Sequence, residues 1–473
     1  MRLLLILIAV FLGVASEGHG GDETASYFRR EGGVSGGEKS RFPRTLEEAA
    51  LRWRQPLDAG HSTPCVYGDR VYLTTHKENE LAVVALYRET GRVRWKRTVP
   101  VTELESFHKT GSPAVCSPAT DGERLYVFFG SYGLLAYDLE GQQLWSQRMG
   151  PFQDEFGASS SPVLLDDMVI INQDHDVDSF LMAIDKTNGR ILWRTPREEF
   201  TRSYSTPIVW EHGGVQEIVV AGSRQLAGYN PKDGAKTWWI NGMARIVSPT
   251  PVVAGDLLYA TGWTPGGDED SRIAMESFAE ARKELDKDGD GKIGKAELPD
   301  GSPVSSRFFR IDLDQDQGLD ESEWKFHAEV FQLSKNKLLA VRPGGKGDVT
   351  ESHVAWDYER NLPSVPSPLV YRGVLYLVKD GGIVTSVDPE TGTVLKRGRA
   401  RGVGKYYASP VAADGRVYLA SERGMLTVLK AGAQWEVESY RDFEERIMAT
   451  PVLRDGVIYL RTDDALYAFG SAE

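Results

Sequence analysis

A Ser/Thr-Pro step, followed eight residues later by a tyrosine or isoleucine, recurs along the 473-residue chain. The steps are Thr63-Pro64, Ser117-Pro118, Ser161-Pro162, Thr206-Pro207, Thr250-Pro251, Ser367-Pro368, Ser409-Pro410 and Thr450-Pro451. In the fourth unit the Glu211–Gly214 turn shifts the residue that follows. Successive prolines are 54, 44, 45, 44, 117, 42 and 41 residues apart. A unit of this length cannot bury its own apolar face, so it must stack against its neighbours. The 117-residue interval exceeds its neighbours by about 75 residues and marks an insertion in the fifth unit.

Within a unit, β-rich runs such as Val71–Leu73 and Val417–Leu419 follow tight turns such as Gly68-Asp69 and Asp455-Gly456. A second turn, clearest at 185–189 and 388–392, places Asp first and Gly last, where Asp caps its own backbone and Gly accepts positive φ. A tryptophan closes many units: Trp95, Trp145, Trp193, Trp238 and Trp356. The reading is an all-β, eight-bladed β-propeller of four-stranded blades with a small α-helical insertion in the fifth blade. The eighth unit lacks its closing strand, while Ala50-Leu51-Arg52-Trp53 reads like one. Trp53 is therefore expected to complete the eighth blade and close the ring, leaving no open edge.

The run Ala183–Trp193 (AIDKTNGRILW) resembles the tryptophan-docking repeat of pyrroloquinoline-quinone (PQQ) propellers. Partial copies end at Trp95, Trp145 and Trp238; the sixth unit has Lys396 in place of tryptophan, and the seventh is degenerate around Trp435. The resemblance covers about residues 48–470 outside the insertion. It implies that each tryptophan packs on the neighbouring blade. The same repeat occurs in quinoprotein dehydrogenases and in the propeller lipoprotein of the outer-membrane barrel-assembly machine (BamB), so it specifies fold more than function.

The insertion carries the strongest chemical pattern. Asp286, Asp288 and Asp290 alternate, Gly291 makes the sharp turn, Lys292 offers its carbonyl, and Glu297 closes the twelve-residue EF-hand loop. Calcium wants six to eight oxygens, which this spacing supplies. A second copy runs through Asp312, Asp314, Asp316, Gly318, Asp320 and Glu323, with Gln317 where the turn glycine belongs. A non-glycine residue resists positive φ, so a weaker or distorted site is expected there. Ile293 and Leu319 are expected to join the loops by a short β contact. Pro299 truncates the first exit helix. Phe278, Ala281 and Leu285, and Trp324, Ala328 and Phe331, form stripes for the module's own core. One or two Ca2+ ions are expected, as structural clips rather than a sensor.

Of the net charge of −13, the stretch 266–335 carries −8, from 18 acidic and 10 basic residues. The remainder is nearly balanced, with no basic field for nucleic acid and no polybasic patch for a membrane. Residues 1–16 read as a signal peptide: Arg2, an apolar run too short to span a bilayer, then the small residues Val14-Ala15-Ser16. Residues 17–43 read as a flexible leader. The propeller occupies 44–264 and 336–473, and the EF-hand pair 265–335. No cysteine stands near the cleavage site to take a lipid, and no later segment is apolar enough to cross a membrane, which places the chain in the periplasm or outside the cell. Cys65 and Cys116 are a disulfide or two buried thiols.

No metalloprotease spacing, phosphate loop or dinucleotide fingerprint is present. Gly33-Val34-Ser35-Gly36-Gly37 fits the nucleophile-elbow pattern without a strand before it or a helix after it. Asp174-His175-Asp176-Val177-Asp178 reads as an exposed turn or, alternatively, a cation site. No catalytic residues are assigned. The expectation is a binding or scaffold propeller that holds a protein or polymer on one face; the alternative is a PQQ-dependent dehydrogenase. PQQ itself is not expected, because its calcium ligands match no motif here.

Overall fold

The computed structural model describes residues 26–35, 41–265 and 275–470. Eight sheets make up the ring, each with four antiparallel strands at its base; seven take these strands from one unit, and the eighth takes three from its unit and one from the start of the ring. Blade one, for example, comprises Cys65–Tyr67, Arg70–Lys77, Glu80–Tyr87 and Val93–Val99. The strand Leu51–Pro56 pairs with Ala465–Gly470 and completes blade eight, as the sequence indicates. Trp53 then packs with Val71, Leu86 and Tyr459 in a cluster shared by blades eight and one.

The Ser/Thr of the repeat has a specific task. Its hydroxyl accepts the backbone N–H of the Ser/Thr in the preceding blade, in six links of 2.9 to 3.1 Å. These buried N–H groups lie at the inner strand ends, where no ladder partner reaches them, so the hydroxyls stitch the ring from within. Ser161→Ala is expected to cost about 1–3 kcal/mol, because it strands the Ser117 N–H; urea unfolding measures it, and an unchanged midpoint would rule out the stitching role.

The tryptophans dock as the resemblance implies. The indole N–H groups of Trp53, Trp95, Trp145, Trp193 and Trp356 donate to Arg88, Leu139, Lys186, Pro231 and Pro389 carbonyls of the next blade, at 2.8 to 3.0 Å. At Gly91 a Cβ would lie 2.5 Å from the Trp53 ring, so the turn glycine is needed for contact as well as for its φ of +72°. Trp238 departs from the pattern and donates to Glu217 of its own blade at 3.1 Å. The reason is the next blade's turn: residues 342–353 are longer there, and Gly347–Asp348 adds a parallel fifth strand beside Trp238-Trp239. Lys396 substitutes for the missing tryptophan by donating to Trp435 O at 2.6 Å.

The expected signal peptide, residues 1–16, lies outside the described residues, as do 17–25 and 36–40 of the expected leader. Residues 26–35 correct the flexible-leader reading, because they cross the inner strands. Ser26 bridges Thr120 of blade two, and Val34 bridges Ala412 of blade seven. Arg29 donates to Pro368 O and Pro410 O at 2.7 and 3.1 Å. Carbonyls at the inner strand ends hold the segment, a device that leaves no hydrophobic period in sequence.

The chain leaves blade five after Leu257–Gly262 and re-enters it at Lys337–Val341. Asn336 closes the neck, accepting from Thr264 N–H and donating to Thr264 O, both at 3.0 Å. Between them lie α1 (Phe278–Leu285), α2 (Phe308–Ile311) and α3 (Glu321–Leu333). Phe278, Ala281, Ile293, Phe308, Leu319 and Trp324 form their small core; the Phe331 side chain lies outside the described residues.

Candidate functional site

Two places hold concentrated polar chemistry: the acidic loops of the insertion and a funnel at the ring axis.

The acidic loops lie back to back, joined through Ile293↔Leu319. In the first, carboxylate oxygens of Asp286, Asp288 and Asp290 come within 4.8 Å of one another; in the second, those of Asp312, Asp314 and Glu323 do. Glu297 is not in the first group. It accepts from Gly294 N–H and Lys287 N–H, both at 2.7 Å, and these amides hold its carboxyl below the usual range. Asp316 turns away to the Lys292 ammonium, and Gly318 lies in the bridging strand beside Gly294.

The turns match despite their sequences. Gly291 N–H and Gln317 N–H each donate to the first aspartate of their loop at 3.1 Å, with φ of +90° and +75°. Gln317 therefore holds the left-handed turn at a strain cost of about 1–2 kcal/mol. The second loop is the more buried: Asp312 is 2% exposed, and its Oδ1 has no hydrogen-bond partner.

The funnel has a volume of about 660 Å³. Phe28 of the crossing segment lines it, together with all eight Ser/Thr residues of the repeat. Its wall carries Glu155, Arg245, Arg307, Arg310, Asp380 and Lys405. Arg307 and Arg310 come from the insertion, which docks on the ring. Arg310 pairs with Glu155 at 2.8 Å, Arg224 pairs with Glu329 at 3.2 Å, and Gln153 donates to Leu313 O. None of these wall residues was legible in the sequence, since they sit in irregular connections with no period.

The Asp174–Asp178 segment is exposed at its tip, Val177 and Asp178, but Asp174, His175 and Asp176 are buried, which corrects the reading of the whole segment as an exposed turn. Asp174 is buried and held by both arms of Arg197, at 2.7 and 2.8 Å. Asp176 is buried against Arg202, and Asp178 pairs with Arg194 at 2.7 Å. Three arginines of the following segment consume the three carboxylates, a pairing at a sequence distance no local pattern reveals. Cys65 and Cys116 are both buried free thiols.

Behind the funnel wall, Glu105 is 3% exposed with neither carboxyl oxygen hydrogen-bonded through its side chain, and burial pushes it up to about 8. The folded state therefore keeps a proton that the unfolded chain releases above about pH 4.5, so this group's contribution to stability falls as pH rises toward 8. Glu105→Gln is expected to flatten that decline. Melting curves at pH 4 and pH 8 check it: the variant should gain several degrees relative to wild type only at pH 8.

Residues 45–170, 118–300 and 177–473 match the family model described as outer membrane protein assembly factor BamB. Among solved structures, the chain is similar to BamB from Moraxella catarrhalis (TM-score 0.54, 11% identity, covering 89% of this chain and 98% of that one). It is similar also to the computationally designed Ika8 protein (0.53, 9%, 88% and 98%) and to a europium-containing methanol dehydrogenase (0.51, 11%, 89% and 93%). At these identities the likeness concerns fold alone. No curated protein matches the sequence. The matched residues run through every blade, and with the docked tryptophans and the closed eight-sheet ring they establish that this chain belongs to the family described as outer membrane protein assembly factor BamB, the PQQ-like propellers.

Proposed function

We propose that this chain is an exported calcium-binding propeller that serves as a binding or scaffold protein, with Ca2+ held by an EF-hand pair inserted in blade five. The observation that carries the reading is the pair of acidic loops: two groups of carboxylates, each with its oxygens converged, joined back to back through Ile293 and Leu319. The ligand set is Asp286, Asp288, Asp290, the Lys292 carbonyl and Glu297 in the first loop. In the second it is Asp312, Asp314, Asp316, the Gly318 carbonyl and Glu323. Hard oxygens in this spacing suit calcium. Glu297 and Asp316 must swing from their present partners to join.

The signal-like N-terminus supports a periplasmic or secreted location, and among the described residues no helix is long and apolar enough to cross a membrane. The matching family and the BamB structure support a protein partner on one propeller face. A quinoprotein dehydrogenase is the other use of this fold. Its channel cation would need carboxylates free to converge in the funnel. Here Glu155 is committed to Arg310 and Arg202, and Asp380 accepts from Tyr406 N–H at 3.0 Å. That donor set does not fit the cofactor's ion, so no step is routed through a quinone.

Native mass spectrometry of the exported protein, with and without chelator, tests the reading. One or two calcium ions and no other ligand is the expected result; a stoichiometric quinone mass would overturn the scaffold assignment.

A further inference from the structure

We propose that the ring forms part of the second cation site: Gln153 and Glu155, in the connection between blades two and three, are positioning residues for the second acidic loop, so that loading this loop and docking the module on the ring are linked. The inference rests on the calcium reading above and deepens it by giving the two loops different tasks.

The loops are entered differently. The first follows α1, eight residues long and capped by Ser277, whose hydroxyl accepts from Glu280 N–H. The second follows α2, four residues long and without a side-chain cap. A single helical turn fixes several backbone dihedrals for one hydrogen bond, so α2 cannot hold a loop in shape by itself. The ring holds it instead. Glu155 takes Arg310 of α2 at 2.8 Å, and Arg202 donates to Phe309 O at 3.5 Å with its guanidinium over the Phe309 ring. In the loop itself, Leu313 O accepts from the Gln153 side-chain amide. The same peptide points its other end, the Asp314 N–H, at Glu323 Oε1 at 3.3 Å, and Leu313 N–H donates to that oxygen at 2.6 Å. A ring side chain thus fixes the peptide that aims the closing carboxylate.

The receiving side is fixed in turn. Gln153 O accepts from Asp176 N–H at 3.0 Å. Asp176 pairs with Arg202, which also reaches Glu155 at 3.5 Å. Burial divides the loops along the same line. Asp288 and Asp290 of the first are exposed, whereas Asp312 and Glu323 of the second are buried. Glu323 lines a gap of about 20 Å³ with Thr201, Arg202, Arg245 and Ile246 of the ring. Asp312 Oδ1, buried and without a hydrogen-bond partner, offers a cation a ligand atom at this junction. The second ion is therefore a clip between module and ring, and the first a clip within the module. Because Arg307 and Arg310 line the funnel, loading the second loop also fixes how the module stands at the funnel mouth. Whatever docking adds to calcium affinity, calcium must add to docking.

Calorimetric calcium titration of the exported chain separates the loops: Glu297→Gln leaves the second to load, and Asp312→Asn the first. Added to Glu297→Gln, either Gln153→Met, which keeps the side chain's length and removes its amide, or Glu155→Gln is expected to weaken calcium binding about five-fold. Added to Asp312→Asn, the same ring substitutions should leave the first loop's affinity unchanged. In the Glu297→Gln protein, calcium should also slow amide exchange at ring residues 153–156, read by mass spectrometry, and Gln153→Met should abolish that slowing. Second-loop affinity untouched by both ring substitutions, or exchange untouched by bound calcium, would overturn the coupling and leave the calcium reading standing. An equal loss at both loops would overturn it too, since it marks a general destabilisation. If the wild-type chain binds no calcium, the calcium reading falls and the coupling falls with it.

Discussion

Trp53→Ala is expected to destabilise the protein by about 3–5 kcal/mol, the range for deleting a large aromatic from a packed core. The effect is out of proportion to the short strand that carries Trp53, because that strand closes the ring. The indole packs tilted against Tyr459 with ring centroids 6.0 Å apart, fills the space over Gly91 and donates to Arg88 O at 3.0 Å. Its removal opens a cavity at the seam between blades eight and one, the place where the chain's two ends meet. Truncating Tyr440, 57% exposed on an outer strand, is expected to change stability by less than about 0.5 kcal/mol. Equilibrium urea unfolding separates the two. Comparable small losses for both would mean that Trp53 does not secure the closure.

Glu297→Gln and Asp312→Asn should each remove one calcium ion from the native mass spectrum and weaken calcium binding at the affected loop at least about ten-fold, because a hard cation loses a charged oxygen. The remaining loop should still load, and the far-UV spectrum of the propeller should not change. The core of blade five is closed by its own four strands and by the Asn336 clamp, not by the module. Calcium titration of each variant checks this. An isotherm identical to wild type for Glu297→Gln would refute the assignment of the first loop. Asp312→Asn has a second consequence: it removes a buried carboxylate whose Oδ1 has no hydrogen-bond partner, so in chelator the variant should be no less stable than wild type.

The repeat was readable because it is local. Ser/Thr-Pro, the turn aspartate and glycine, and the closing tryptophan each act within one unit or on the next, and a fixed spacing repeats the same contact around the ring. Even Trp53's role was legible, because a closing strand missing at one end and present at the other leaves one solution. The acidic loops were legible for the same reason, since twelve consecutive residues carry the whole pattern. Where the pattern misled, the cause was a distant insertion. Trp238 lost its docking turn because residues 342–353 of the next blade are lengthened, and it turned to Glu217 instead.

What tertiary structure alone decided are the contacts made across blades. Residues 26–35 look like a loose leader and become the floor of the funnel, because Arg29 finds carbonyls of blades six and seven more than 300 residues away. Asp174 and Asp176 look solvated and are instead buried against Arg197 and Arg202, while Asp178 pairs with Arg194 at the exposed tip. Arg307 and Arg310 read as ordinary surface residues of a small helical module until that module docks on blade three. The sequence by itself determined the ring, its closure and the converging carboxylates, since each follows from spacing along the chain. The funnel's floor and its charge follow from which side chains meet across the axis, and chain spacing holds no record of that.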